Sequence, residues 1–195
     1  MSTDPAYFTR MYEGSDDPWG FRSRWYERRK RDLTLACLPL ERYARAFEPG
    51  CSVGMLTRDL APRCAHLEAL DPVPAAVEQA RHEVAGSDHV RVAQGRVPRH
   101  WPEGTFDLVV LSEMLYYFDD AELHAVMGRT LASARPGATV VAVHWRHPAE
   151  GHVRTGDEVH RILSGVPELS RTVGHVEADF LMDAFTVRPR EGTGP

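Results

Sequence analysis

A chain of 195 residues, 43% hydrophobic and 26% charged, is long enough to bury one good core and short for two, so a single domain over 1–195 is expected. A net charge of -5 and a pI near 6.0 leave no electrostatic footprint for nucleic acid; no apolar run reaches membrane-spanning length, and the amino end has no basic-then-apolar leader. Cys37, Cys51 and Cys64 are an odd set without paired spacing, which predicts reduced thiols and a cytoplasmic protein.

Residues 1–38 stand outside any strand-helix repeat. Residues 4–13 suit one short helix, 14–20 are turn-rich around Asp17-Pro18-Trp19, and Ser23 is placed to cap a longer helix reaching Cys37 ahead of Pro39. The first half of that helix, 22–31, interleaves six Arg or Lys with Trp25 and Tyr26. Two readings stand: a lid that closes over a ligand, or a solvated face with Trp25 docked on the core. The expected layout is a lid over 1–38, a core over 39–189 and a tail over 190–195.

From Tyr43 the alternation is regular. A first strand ends at Glu48, and a helix over 55–63 buries Leu56 and Leu60. A strand over 66–70, a helix over 74–84 with Pro at its first turn, and a strand over 89–93 follow. Residues 106–111 are nearly all apolar, as a strand buried on both faces of a parallel sheet must be. Next come a helix over 120–134, a turn at Arg135-Pro136-Gly137, a strand over 138–144, a loop over 144–155 and a helix over 157–163. The stretch 170–187 alternates like two antiparallel strands, with Asp183 expected near their bend. The sum is a doubly wound, three-layer α/β fold. Its ligands belong outside the carboxyl ends of the strands, which gathers Glu48, Asp71, residues 94–97, 112–117 and 144–147 into one cleft.

The loop after the first strand is the candidate cofactor site. Gly50 and Gly54 let the backbone turn sharply and approach a ligand, and Asp71, about 20 residues beyond the loop, stands where such folds grip a ribose. The dinucleotide pattern G-x-G-x-x-G is out of register here. Glu48 would repel a pyrophosphate but suits a ligand carrying an ammonium and a sulfonium, which points to S-adenosylmethionine (SAM). The plainer reading is a glycine turn without a ligand.

Five stretches carry a resemblance: Asp17-Pro18-Trp19, the run Trp25-Tyr26-Glu27-Arg28-Arg29-Lys30, Glu48-Pro49-Gly50-Cys51-Ser52-Val53-Gly54, Ser112-Glu113-Met114-Leu115-Tyr116-Tyr117, and Val143-His144-Trp145-Arg146-His147-Pro148. Together they resemble the NodS-like branch of the class I SAM-dependent methyltransferases, over nearly the whole chain. The resemblance implies a mostly parallel seven-stranded Rossmann-like sheet, SAM as donor, S-adenosylhomocysteine (SAH) as product, and transfer to a nitrogen of a small molecule such as an aminosugar. It implies that Glu48, Gly50, Cys51 and Gly54 surround the methionine part, that Asp71 and Pro72 hold the ribose, that Gln94, Gly95, Arg96 and Val97 contact adenine, and that Ser112 and Glu113 lie near the methyl. Arg96 departs from the pattern, since related enzymes often have an acid there.

An amine acceptor arrives protonated. His144 is the more natural base and Glu113 the better group to orient the amine. Tyr116, Tyr117, Trp145, Arg146 and His147 are expected along the acceptor side, with Tyr117 by helical spacing also a candidate for the core. His144, His147, His152 and His160 do not have the clustered spacing of a metal site, so none is expected. An O-methyltransferase and a SAM-binding protein without catalysis remain as alternatives.

Overall fold

The computed structural model describes residues 1–189; the tail expected over 190–195 lies outside them. The order is α1 (Pro5–Gly14), α2 (Trp25–Ala36), β1 (Ala46–Pro49), α3 (Met55–Leu60), β2 (Leu67–Asp71), α4 (Pro74–Glu83), β3 (Val90–Gln94), β4 (Phe106–Ser112), α5 (Asp120–Ser133), β5 (Ala134–Trp145), α6 (Gly156–Ser164), β6 (Leu169–Val176) and β7 (Phe180–Val187). The strands form one sheet in the order β3-β2-β1-β4-β5-β7-β6. The first five run parallel, and β7 is antiparallel to both of its neighbours. This is the class I methyltransferase topology.

Helices cover both faces, so the central strands have no solvated side. In β4, Leu108 and Val110 face a cluster with Leu56, Leu60 and Phe180, while Val109 and Leu111 face one with Leu123, Val126 and Phe185. The strand order reverses between β1 and β4. Their connections leave in opposite directions there, and a crevice opens beyond their carboxyl ends.

Several boundaries differ from expectation for local reasons. The helix expected over 55–63 breaks into α3 and a 3-10 turn, Ala61–Arg63, that contains Pro62. Arg24 rather than Ser23 holds the N-cap position of α2, with no side-chain capping bond. The turn at Arg135-Pro136-Gly137 is a bulge inside β5, where pairing jumps from Phe106↔Ala134 to Leu108↔Thr139. Asp183 sits in the middle of β7, buried, rather than at the bend. Trp25 is 67% exposed and does not dock on the core; Tyr26 packs against Trp145 and Phe180 instead.

The inner face of α2 is polar, with Glu27, Lys30, Arg31 and Thr34 buried. Such a face stays folded only because its charges are matched. Arg31 Nε donates to Asp59 at 3.0 Å, and Lys30 lies between Glu27 and Glu113. Arg29 grips Glu177 with two bonds of 2.7 Å. Ion pairs thus pin α2 to α3, to the end of β4 and to the β6–β7 turn.

Gly54 has φ +80°, and a Cβ there would lie 2.6 Å from the Ala80 Cα of α4, whereas Gly86 has φ +87° and open space around it. Gly86→Ala is expected to cost about 1 kcal/mol, the left-handed penalty alone. Gly54→Ala is expected to cost roughly 3 kcal/mol or more, because α4 must also move. Urea denaturation of the two variants separates these; equal losses would mean that α4 yields freely.

Candidate functional site

At the crevice, the turn after β1 is tied down by its own backbone. The Gly50 and Cys51 N–H groups both donate to the Leu70 carbonyl, at 2.7 and 2.9 Å, which draws the loop across the end of β2. Gly50 has φ +75°, and only Met114 would come within 4 Å of a Cβ there, so its backbone stays open to the crevice. Gly54 serves packing rather than ligand approach.

Asp71 closes β2. Its carboxylate accepts from the backbone N–H of Ser52 and of Val73, each at 2.9 Å. Burial pushes its carboxyl up to about 6 despite these two donors. It lines a cleft of about 510 Å³ together with Gly50, Pro72, Gly95, Arg96 and Val97. Arg96 donates to Glu122 at 2.6 Å and lies over the Phe118 ring. Glu48, Cys51, Gln94 and Ser112 do not line the cleft among the described residues. Glu48 is buried beneath the loop, its Oε2 has no hydrogen-bond partner, and burial pushes its carboxyl up to about 8 against the pull of the Thr57 hydroxyl. Cys51 is buried beside it, its thiol pushed well up by burial. Gln94 turns its amide to the Pro72 carbonyl at 3.2 Å.

The other end of the cleft is acidic and aromatic. Glu113 follows β4 with φ 54°, a left-handed conformation costly for a residue with a side chain. Its carboxylate accepts from Lys30 Nζ at 2.6 Å, from the Tyr116 hydroxyl at 2.6 Å and from the Trp145 N–H at 2.9 Å. Lys30 also lies 3.0 Å from Glu27. Burial would discharge Lys30, but Glu113 and Glu27 hold its ammonium above its ordinary range. Tyr116, Tyr117 and Trp145 line the cleft.

Three expected site residues face elsewhere. Arg146 and His147 are absent from the cleft lining: Arg146 pairs with Asp157, and His147 pairs with Asp179, which does line the cleft. His144 is wholly buried. Its Nε2 must accept, because its partner at 3.2 Å is the Leu115 N–H; Nδ1 therefore carries the proton and donates to His160 Nε2 at 3.2 Å. His160 in turn donates through Nδ1 to Asp183 at 2.6 Å. Both ring nitrogens of His144 are spent, and burial with the neighbouring His160 holds its pKa well below the usual histidine range. It is not placed to act as a base.

A different histidine, His152, lines the cleft. Its ring stacks on Tyr116 with centroids 3.8 Å apart, it lines the cleft, and its buried Nδ1 has no partner. Burial lowers its pKa and the nearby Glu113 opposes that, leaving a neutral imidazole. No sequence pattern marks His152, since it sits in an irregular loop. The N-terminal segment adds Tyr7, Phe8, Tyr12, Trp19, Phe21 and Arg24 to the lining. It is held by hydrogen bonds from Thr3 Oγ1 to the Gly151 carbonyl and between the Tyr12 and Ser52 hydroxyls, each 2.5 Å.

The family model of nodulation protein S (NodS) matches residues 9–147. The chain belongs to the NodS family. Nodulation protein S of Rhizobium tropici is 33% identical over 155 residues, which cover 77% of this chain and 65% of that protein. The solved N-methyltransferase NodS of Bradyrhizobium japonicum WM9, in complex with SAH, superposes with a TM-score of 0.83 at 25% identity, over 94% of this chain and 98% of that one. A Pseudomonas syringae structure, provisionally a methyltransferase, is 46% identical with a TM-score of 0.75, over 84% of this chain and 99% of that one.

Buried Glu48 has a consequence for stability. In the unfolded chain it gives up its proton near 4.5 and in the fold only near 8, so rising pH favours unfolding across that window. Glu48→Gln should flatten the loss of denaturant stability between about pH 5 and about pH 8.5. Parallel profiles for variant and wild type would mean that Glu48 ionises freely in the fold.

Proposed function

We propose that this chain transfers the methyl group of SAM to an amine nitrogen of a small acceptor such as an aminosugar, with the cofactor along the wall from Gly50 through Asp71 to Val97 and the amine beside Glu113. Membership of the NodS family supports the reaction type, and the SAH held by the Bradyrhizobium NodS supports the cofactor. The residues present fit that ligand. The open backbone at Gly50 leaves room for it, and the Asp71 carboxylate keeps lone pairs beyond its two backbone bonds for vicinal hydroxyls.

The observation that carries the acceptor class is the cluster of Glu27, Lys30 and Glu113. Two carboxylates around one ammonium leave a net negative charge in a buried setting, which favours a cationic amine over a neutral hydroxyl. When bound, SAM supplies a methyl already activated by its sulfonium, so alignment and a free nitrogen lone pair account for most of the rate. Glu113 holds Tyr116 through its hydroxyl, and Tyr116 carries the His152 ring. The His152 imidazole takes the proton of the bound ammonium, which frees the nitrogen lone pair to form the new C–N bond. The aromatic side chains of residues 1–38 act as the lid that excludes water.

Calorimetry with SAH tests the cofactor half. Affinity should rise with pH through about 6, as Asp71 ionises, and level off above; Asp71→Asn should bind weakly without that rise. A wild-type affinity that is flat across this range would remove Asp71 from the ribose. For the acceptor half, His152→Ala should lower kcat on an amine acceptor on the order of 10²- to 10⁴-fold while SAH affinity holds. Unchanged turnover in that variant would leave His152 without a role as the base.

A further inference from the structure

Asp183, His160 and His144 are buried, and none of the three lines the cleft. Their chain of hydrogen bonds nevertheless ends on the 3-10 turn Leu115–Tyr117, which carries Tyr116. The segment leading into α6 grips the same turn. The Val153 N–H donates to the Tyr116 carbonyl at 2.8 Å, and Arg154 donates to the Phe118 carbonyl through Nε at 3.1 Å and Nη2 at 2.8 Å. His152, one residue before Val153, is thereby set on the Tyr116 ring. Close approach of α6 to β5 makes this possible: a Cβ on Gly156 would collide with the Trp145 carbonyl and lie 3.1 Å from the His144 Cβ. Only a glycine at that place lets His160 come within reach of His144.

The chain has a direction, and both of its ends impose it. At one end the Leu115 N–H can only donate. At the other, a carboxylate can only accept, and the second oxygen of Asp183 faces Arg171 at 3.6 Å. Between these ends, each of the three contacts holds one hydrogen. Turning either imidazole to its other tautomer, or both together, puts two hydrogens into one contact and leaves another with none. The bond to Leu115 therefore depends on which nitrogen carries each hydrogen, as well as on shape.

We propose that Asp183 is a positioning residue for methyl transfer: it fixes the tautomers of His160 and His144, so that the Leu115 N–H is held and the wall of Tyr116, Glu113 and His152 keeps its geometry. The proposal rests on the functional reading above for the reaction that this wall serves. It assigns to the buried chain an effect on turnover without contact to cofactor or acceptor.

Asp183→Asn tests it with almost no change of shape. Arg171 would draw the new amide oxygen, leaving the amide N–H groups toward His160; the chain then runs backwards and two hydrogens meet at Leu115. Turnover of an amine acceptor should fall roughly 10- to 100-fold while calorimetric SAH affinity stays within about twofold of wild type. Nitrogen-correlated NMR of the imidazoles should show His144 with its hydrogen on Nδ1 in wild type and on Nε2 in the variant. His160→Gln, whose amide can accept from His144 and donate to Asp183, should retain most of the turnover, whereas His160→Leu should lose it. Unchanged turnover in Asp183→Asn would overturn the proposal, as would an equal fall in turnover and SAH affinity, or a fall without a change of tautomer. If Asp183→Asn does not fold, equal turnover in the two His160 variants overturns it instead. A wild type with the stated His144 tautomer that binds SAH but methylates no amine would overturn the functional reading, and the positioning role with it.

Discussion

The contact on which the site depends is the buried pairing of Lys30 with Glu113. Glu113 sits in a left-handed conformation at the end of β4, a position that a side-chain-bearing residue holds only when its surroundings over-determine it. Lys30, the Tyr116 hydroxyl and the Trp145 N–H do so together, from α2, from the turn after β4 and from the end of β5. An ion pair removed from water is seldom a net source of stability. Its value here is positional: it draws α2 over the crevice and fixes which way the Glu113 carboxylate, and hence Tyr116, points.

A second polar system supports the same turn from below. Asp183 of β7, His160 of α6 and His144 of β5 form a buried chain of hydrogen bonds that ends on the Leu115 N–H. One obligatory donor orders the whole chain, because an amide N–H cannot accept. The chain satisfies a buried backbone group next to Tyr116 and uses both ring nitrogens of each imidazole. The turn carrying Tyr116 is thus held by Glu113 on the cleft side and by two histidines on the core side.

The N-terminal segment is as much a part of the site as the sheet. Its aromatic side chains supply a wall that the parallel strands cannot, because strand ends present mainly backbone and short loops. Arg22, Arg29 and Arg31 are matched to acids on other elements, so the segment is positioned by directional pairs as well as by burial.

Much of this architecture was legible in the sequence. The alternation of apolar runs with helical patterns marked all seven strands and six helices, and Gly50 and Asp71 marked the crevice, because each of these signals is local: a period, a turn, a spacing. Residues whose surroundings come from distant elements were not legible. Glu48 lies one residue before the end of its strand, yet it faces inward beneath the loop. His144 lies in a motif-like run but points into the core, where its nitrogens are taken by Leu115 and His160, while unmarked His152 stacks on Tyr116. Arg146 and His147 are bonded to Asp157 and Asp179. The sequence by itself determined the order of elements, the sheet and the place of the crevice, since backbone propensity and hydrophobic period act over a few residues. Only the tertiary structure decided which polar side chains reach the crevice, because that depends on the direction of each side chain and on partners that the fold brings from far along the chain.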